Sequence, residues 1–131
     1  MIGTRVVLLR VVTPAAVDEY CALTGDNDPL HVDAAFAAGT VYGERIAPGA
    51  LVIGYMMAAA AAATGNLGMA VPSLGFDRLR HTAAVLVGDR LRIEYVVVSL
   101  VDDRGHADIT VTNQRDETVA IADHVFRTLS R

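Results

Sequence analysis

The sequence has no tryptophan, and aromatic side chains make up only 5% of its 131 residues. Proteins that bind single-stranded nucleic acids stack the bases on aromatic side chains, so this composition argues against that class. The sequence also has no lysine, and its 11 arginines are outnumbered by 15 aspartates and glutamates, which gives a net charge of −4. Since nucleic-acid binding depends on basic contacts to phosphates, we expect no nucleic-acid partner.

Cysteine is almost absent, and because Cys21 is the only one, an intrachain disulfide is impossible. This is compatible with a reducing cytosol, and we expect a cytoplasmic protein. Arg5 and Arg10 interrupt the N-terminal apolar run, which favours a strand over a signal peptide. The charge-free helical stretch 50–64 is shorter than the ~20 residues that a membrane span needs, so we expect a buried helix and no membrane partner.

Hydrophobic residues make up 53% of the chain and charged residues 20%, a balance that predicts a packed core. Periodicity and capping signals predict a strand at 5–12 and helices that start at Pro14, at Ala34 and at Gly49. Thr13 and Asp33 are the predicted N-caps, and Gly25 the stop of the first helix. Five more strands are predicted at 73–79, 80–86, 90–101, 107–114 and 118–129. The order predicts one α+β domain over residues 1–131, an antiparallel sheet against a helix buried on every side.

Asp26 and His31 are the first candidates for chemistry, because four residues with Pro29 among them separate the two side chains. Proline has no N–H to donate, and it disfavours the α-conformation in the residue before it. The segment 25–30 is therefore predicted to be a fixed loop rather than a helical turn. A rigid loop that holds a carboxylate near an imidazole suits acid–base chemistry on a water molecule.

The run from Tyr20 to His31, YCALTGDNDPLH, with Ala37 six residues later, resembles the hydratase-2 motif of MaoC-like, (R)-specific enoyl-CoA hydratases. That motif reads aromatic, small or apolar, Ser or Thr, Gly-Asp-x-Asn-Pro-aliphatic-His, five residues, then Ala or Ser. Asp28 stands where the family usually has Asn. Residues 39–49 and 76–89 also resemble the family, as the link into its central helix and as its first core strand with the Gly-Asp turn. The resemblance implies the hot-dog fold, in which an antiparallel sheet wraps around a long buried helix.

The resemblance also implies a reaction and the residues that perform it. Ionised Asp26 and neutral His31 would together deprotonate a water that attacks C3 of a trans-2-enoyl thioester, and would return a proton to C2. Gly49, at the start of the central helix, would offer its N–H to the thioester oxygen, where helix N-termini favour negative charge. The product would be an (R)-3-hydroxyacyl thioester, and the reverse reaction a dehydration. No cofactor is implied beyond the coenzyme A or phosphopantetheine of the substrate.

Two departures from the family adjoin these residues, and they predict a more apolar substrate pocket. Pro48 replaces a histidine that the family commonly has before the glycine, and Met57 matches a helix position that often carries serine. Asp28 is a third candidate for the pocket, as a second carboxylate, although an aspartate there more often makes a local turn hydrogen bond. The phosphates of coenzyme A or phosphopantetheine could meet three arginines that could equally be solvated surface charges: Arg45, Arg78 and Arg80.

No metal site is expected. The acidic residues around His31 lack the glycine and closing glutamate of a calcium loop, and no two histidines have the four-residue spacing of a zinc helix. The remaining histidines, His81, His106 and His124, fall in predicted strands or turns, where they are interpreted as structural or solvated.

Two other functions stay open. A hot-dog thioesterase usually takes a carboxylate from the central helix, and residues 50–64 contain no Asp or Glu. An acyl-thioester-binding subunit of a heterodimeric dehydratase would lack the Asp/His pair, which this chain has. Because a lone hot-dog domain leaves a sheet edge open and such edges invite pairing, we expect a homodimer, or a heterodimer with a similar chain.

Overall fold

The computed structural model describes residues 1–129, which form one five-stranded sheet and four helices. The elements are β1 (Arg5–Val11), α1 (Pro14–Thr24), α2 (Pro29–Val32), α3 (Ala34–Ala38), α4 (Gly49–Thr64), β2 (Ser73–His81), β3 (Arg90–Val101), β4 (Arg104–Thr112) and β5 (Thr118–Arg127). The strand order is β1-β3-β4-β5-β2, and every neighbouring pair is antiparallel. The long helix α4 packs against this sheet, so the fold is the hot-dog fold that the resemblance implied.

The core lies between α4 and one face of the sheet. In β3 the apolar residues Leu91, Ile93 and Tyr95 are buried, whereas the alternating charged residues Arg92 and Glu94 are on the other face and pair with each other. The alternation that the sequence shows over this strand is therefore confirmed. None of the helices among residues 1–129 combines the length and the apolar character that a membrane crossing requires.

Helix α4 is only half covered, so the prediction that it is buried on every side is wrong for this chain. Its inner face is buried under the sheet, but Ala50, Gly54, Ala61 and Ala62 are exposed. A sheet that lies on one side of a helix leaves the opposite side open. Because α4 is apolar on all sides, its sequence does not indicate which side faces the sheet. The exposed side consists of small residues, and we call these four residues the open face of α4.

The predicted strand at 80–86 does not form, because β2 runs on to His81. Its pairing with β5 shifts register twice, and at the second shift Arg78 has a φ of 52°. This irregularity is a β-bulge, which keeps β2 continuous where the sequence predicted two separate strands. Beyond His81 the backbone N–H groups of Thr82 and Ala83 still donate to Val119 O of β5, and Leu86 then forms an isolated bridge with Ile46.

Candidate active site

His31 lies in the short helix α2, so the prediction of a loop through residue 30 is wrong beyond Asp28. Pro29 begins α2, and the Asp28 carboxylate caps it by accepting a hydrogen bond from Leu30 N at 2.9 Å. Proline is favourable at the first helical position, where its missing N–H would have had no helical partner. Asp28 itself has ψ 126°, outside the α region, as the residue before a proline requires. This capping bond is a local turn hydrogen bond of the kind that aspartate often makes at such a position. A role for Asp28 in the substrate pocket stays a prediction.

The carboxylate of Asp26 faces His31 across a short gap. Gly25 ends α1 in the left-handed conformation, with φ 80°, which turns the chain toward α2. Asp26 Oδ1 accepts a hydrogen bond from Asp28 N at 3.4 Å, and Oδ2 lies 3.9 Å from His31 Nε2. This separation is too long for a direct hydrogen bond, but it is short enough for one water molecule to lie about 2.8 Å from both atoms. The two side chains can therefore hold one water between them.

The hydrogen bond of His31 fixes which ring nitrogen can take a proton. Nδ1 lies 2.8 Å from the carbonyl oxygen of Ile46, and a carbonyl only accepts, so Nδ1 carries the hydrogen and donates. In the neutral ring Nε2 then has the free lone pair, and Nε2 is the nitrogen that faces Asp26. The site thus presents a base toward the gap where a water fits.

Residues 45–47 hold α2 in this orientation. Ile46 N donates to Leu30 O at 3.2 Å, and Arg45 Nε donates to His31 O at 2.6 Å. The same guanidinium forms an ion pair with Asp18 of α1, and only 17% of the Arg45 side chain is exposed. These contacts give Arg45 a local anchoring role, and its predicted contact with substrate phosphates stays a prediction.

Gly49 begins α4 beside these residues. Ala47 N donates to Val85 O at 2.7 Å, and buried Pro48 is the N-cap but has no side-chain group to bond the first N–H groups of α4. Such N–H groups, together with the helix dipole, favour an anion at this end. A Cβ on Gly49 would lie 2.7 Å from Nε2 of His81, so any other residue here would displace the His81 ring.

A cavity of about 430 Å³ joins these parts. Its wall includes His31 and Gly49, and the other lining residues are Tyr42, Ile46, Ala47, Val52, His81, Thr82, Ala83, Ala84 and Val85. Asp26 is not in the wall, but its carboxylate lies 3.9 Å from Nε2 of His31, which is. Met57 lines a separate cavity of about 90 Å³ with Tyr95 and His124. Its predicted role in the substrate pocket beside the Asp26–His31 pair, called the dyad below, stays a prediction.

The predicted phosphate arginines of β2 are not in this wall either. Arg78 Nη2 pairs with Asp123 Oδ2 at 3.1 Å, and Arg80 Nη1 donates to Leu79 O at 2.8 Å. Sequence reasoning missed two residues that the structure adds to the cavity, Tyr42 and His81. No local motif marks them, because the contact of His81 with Gly49 depends on how β2 crosses the start of α4.

The acidic residues around His31 do not gather into a metal-binding group within the described chain. The group of potential metal ligands among residues 1–129 is Asp77, His106 and Asp123, whose nearest ligand atoms lie within 4.8 Å of one another. It lies across β2, β4 and β5, and the Arg78 guanidinium already pairs with the Asp123 carboxylate.

Known proteins resemble the whole of this arrangement. The family model described as the MaoC like domain matches residues 3–120. An (R)-specific enoyl-CoA hydratase from Aeromonas caviae is 32% identical over 113 residues, 83% of this chain and 79% of that protein. A 3-hydroxybutyryl-CoA dehydratase from Methylorubrum extorquens is 29% identical over 115 residues, 85% of this chain and 69% of that protein. The solved structure of an (R)-hydratase from A. caviae superposes with a TM-score of 0.88 at 26% identity, over 97% of this chain and 96% of that one. The chain therefore belongs to the MaoC-like dehydratase family.

Proposed function

We propose that this protein is a hydro-lyase that adds water to trans-2-enoyl-CoA thioesters, giving (R)-3-hydroxyacyl thioesters, and that it also catalyses the reverse dehydration. The observation that carries the proposal is the gap of 3.9 Å between Asp26 Oδ2 and His31 Nε2, with His31 in the wall of the cavity that Gly49 borders. Two of the relatives are an (R)-specific enoyl-CoA hydratase and a 3-hydroxybutyryl-CoA dehydratase, and both activities belong to this reaction class.

Each group has one task in the proposed reaction. Water hydrogen-bonds to Asp26 and gives a proton to Nε2 of His31 as its oxygen attacks C3 of the thioester. Negative charge then builds on the thioester carbonyl oxygen, where the N–H of Gly49 stabilises it. His31 returns the proton to C2, and the dyad regains its starting state. No cofactor takes part in these steps beyond the coenzyme A or phosphopantetheine that carries the acyl group.

A thioesterase is less well supported, because α4 has no acidic side chain that could attack or activate water from the helix. An acyl-binding subunit without catalysis would not need the lone pair of His31 Nε2 to face a carboxylate. Cys21, the only cysteine, is free and buried, which is compatible with the cytoplasmic location that we propose.

We further propose that two chains pair, either as a homodimer or with a similar hot-dog chain. The open face of α4 leaves small apolar residues uncovered. Near the cavity, Val41 is 95% exposed, Tyr42 45% and Phe36 51%. Exposed apolar surface is typical of protein–protein contacts. Because Tyr42 is also in the wall of the cavity, a partner chain that covers it would narrow the mouth of the cavity.

The test is the loss of conjugated-enoyl absorbance when wild-type protein is mixed with trans-2-enoyl-CoA thioesters of increasing chain length. Chiral analysis of the product should give the (R)-3-hydroxyacyl thioester. An (S) product, or wild-type protein that hydrates none of these substrates, would refute the proposal.

A further inference from the structure

His81 is a second imidazole in the cavity of His31. It ends β2, and its ring lies against the first residue of α4. The ring atoms Nε2, Cε1 and Cδ2 lie 2.7, 3.0 and 3.1 Å from the point that a Cβ on Gly49 would occupy. The nitrogen Nε2 is thus the ring atom nearest to that point.

The His81 ring differs from the other three imidazoles of the chain. His31 donates to Ile46 O, His106 Nδ1 lies 3.4 Å from Asp123, and His124 is hydrogen-bonded through both ring nitrogens. Within residues 1–129 the His81 side chain makes no hydrogen bond or ion pair, and the residue is exposed. Its N–H is therefore available to a bound molecule without the loss of a bond inside the protein.

The start of α4 needs such a group for the proposed chemistry. Pro48, the N-cap, has no polar side chain, so the backbone N–H groups are the donors that α4 itself provides. Sites that stabilise a developing oxyanion place fixed donors around it, and the loss of one donor typically reduces kcat by about 10²- to 10³-fold. The ring of His81 stands beside the backbone donor of Gly49 and lines the same cavity.

We propose that His81 is a catalytic residue whose Nε2–H donates a hydrogen bond to the thioester carbonyl oxygen, alongside the N–H of Gly49. This inference rests on the proposed function, and it assigns a different role to each of two imidazoles. His31 takes and returns the proton, while His81 keeps its own proton and stabilises the charge that builds on the oxygen. Glycine at position 49 then serves two purposes, since it offers an N–H and leaves room for the ring.

Steady-state kinetics of the wild type and four variants test the role of the His81 N–H. His81→Phe keeps a ring without a donor, His81→Ala removes both, and His81→Gln keeps an N–H donor. We expect phenylalanine and alanine each to lower kcat by about a hundredfold, with KM changed by less than about threefold, and glutamine to recover part of the loss. His106→Phe, at the histidine of β4 outside the cavity, is the matched control and should retain wild-type kcat.

A double-mutant cycle tests the contact itself. Alanine at position 49 forces the wild-type His81 ring to move, because its Cβ would lie 2.7 Å from Nε2. In the His81→Ala background the same Cβ meets no ring. Gly49→Ala should therefore reduce kcat much more in the wild type than in His81→Ala, and equal losses in the two backgrounds would contradict the proposed contact.

Asp26→Asn, measured in parallel, distinguishes a failure of the proposed role of His81 from a failure of the proposed function. If the wild type hydrates enoyl-CoA, Asp26→Asn is inactive, and His81→Phe or His81→Ala stays within twofold of wild-type kcat, the role of His81 is overturned and the proposed function stands. If folded wild-type protein hydrates no substrate, both are overturned. Thermal unfolding of each His81 variant should match the wild type, because the His81 side chain is exposed.

Discussion

Among the individual side chains, His31 has the most constrained chemistry. Its Nδ1–H donates to the Ile46 carbonyl, and the lone pair of Nε2 faces Asp26 Oδ2 at 3.9 Å. The ring therefore cannot exchange the roles of its two nitrogens without losing a 2.8 Å hydrogen bond. This backbone carbonyl does for His31 what a carboxylate often does for a catalytic histidine, because it fixes the tautomer.

Removal of either member of the dyad should remove most of the activity. Asp26→Asn keeps the shape but not the charge, and His31→Gln keeps a hydrogen bond but cannot transfer a proton. Since general acid–base catalysis typically contributes about 10²- to 10⁴-fold, each variant should lose at least a hundredfold in hydration rate. Residues that act as a unit are not additive, so the double variant should be little worse than the poorer single one. A folded Asp26→Asn protein with near wild-type rate would show that the water is activated elsewhere.

His124 gives the protein a different, pH-dependent property. It is 2% exposed, and its ring nitrogens lie 2.8 Å from Tyr95 Oη and from Ser73 Oγ. Burial lowers the pKa of His124, against the opposing influence of the neighbouring Asp123 carboxylate. The unfolded chain, with an ordinary pKa near ~6.5, therefore binds a proton more readily than the folded chain does.

The stability of the fold should consequently fall as the pH falls below ~6.5. In that range the unfolded state gains protons that folded His124 resists, whereas at higher pH neither state binds one. Denaturant titrations of the wild type at about pH 7.5 and pH 5.5 should show this loss, and His124→Gln, although less stable overall, should show less of it. If both proteins lose the same free energy of unfolding between the two pH values, another group is responsible.

Among the secondary-structure elements, α2 depends most on its neighbours. It has only four residues, so its orientation rests on contacts from residues 45–47 rather than on its own hydrogen bonds. Arg45 joins α2 to α1 by its bonds to His31 O and Asp18. A guanidinium in this position affects the His31 ring through the backbone that carries it.

Arg45→Gln distinguishes this anchoring role from the predicted contact with substrate phosphates. If Arg45 anchors α2, the variant should lose kcat to a similar extent with a coenzyme A thioester and with a truncated N-acetylcysteamine thioester that has no phosphate. If it binds a phosphate, KM should rise for the coenzyme A substrate alone. Arg92→Gln is the control, because Arg92 is exposed on the other face of β3, where it pairs with Glu94. We expect the first pattern.

The elements show what the sequence could predict and what it could not. The caps Thr13 and Asp33 and the alternation of β3 depend on neighbours a few residues away, and the structure confirms them. The bulge that keeps β2 continuous depends on its pairing with β5, about 45 residues distant, and no local pattern reports it. The motif located Asp26 and His31 together, but His81 reaches Gly49 through the sheet, so only the fold brings that pair into contact.

For the molecule as a whole, the open face of α4 is the main apolar surface that no part of the described chain covers. Gly54 lies in the middle of this helix, where glycine costs about 1 kcal/mol relative to alanine. A Cβ there would meet no atom within 4 Å, so nothing within the described chain requires a glycine. The close approach of another backbone or side chain from a partner chain would require one.

The proposed dimer therefore predicts opposite effects of a Gly54 substitution on the stability of the helix and on the pairing of two chains. Light scattering should give about twice the chain mass of 13.9 kDa for the wild type. Gly54→Glu should retain the helix, since glutamate is the better helix former, yet it should shift the protein toward monomer, because a partner would bury an unpaired charge. Thr110→Glu, an exposed change on the outer face of β4, should leave the mass unchanged.

The Gly54→Glu monomer should also lose hydratase activity, since the partner is expected to narrow the cavity mouth near Tyr42. A wild-type monomer with full activity would show that one chain completes the site alone.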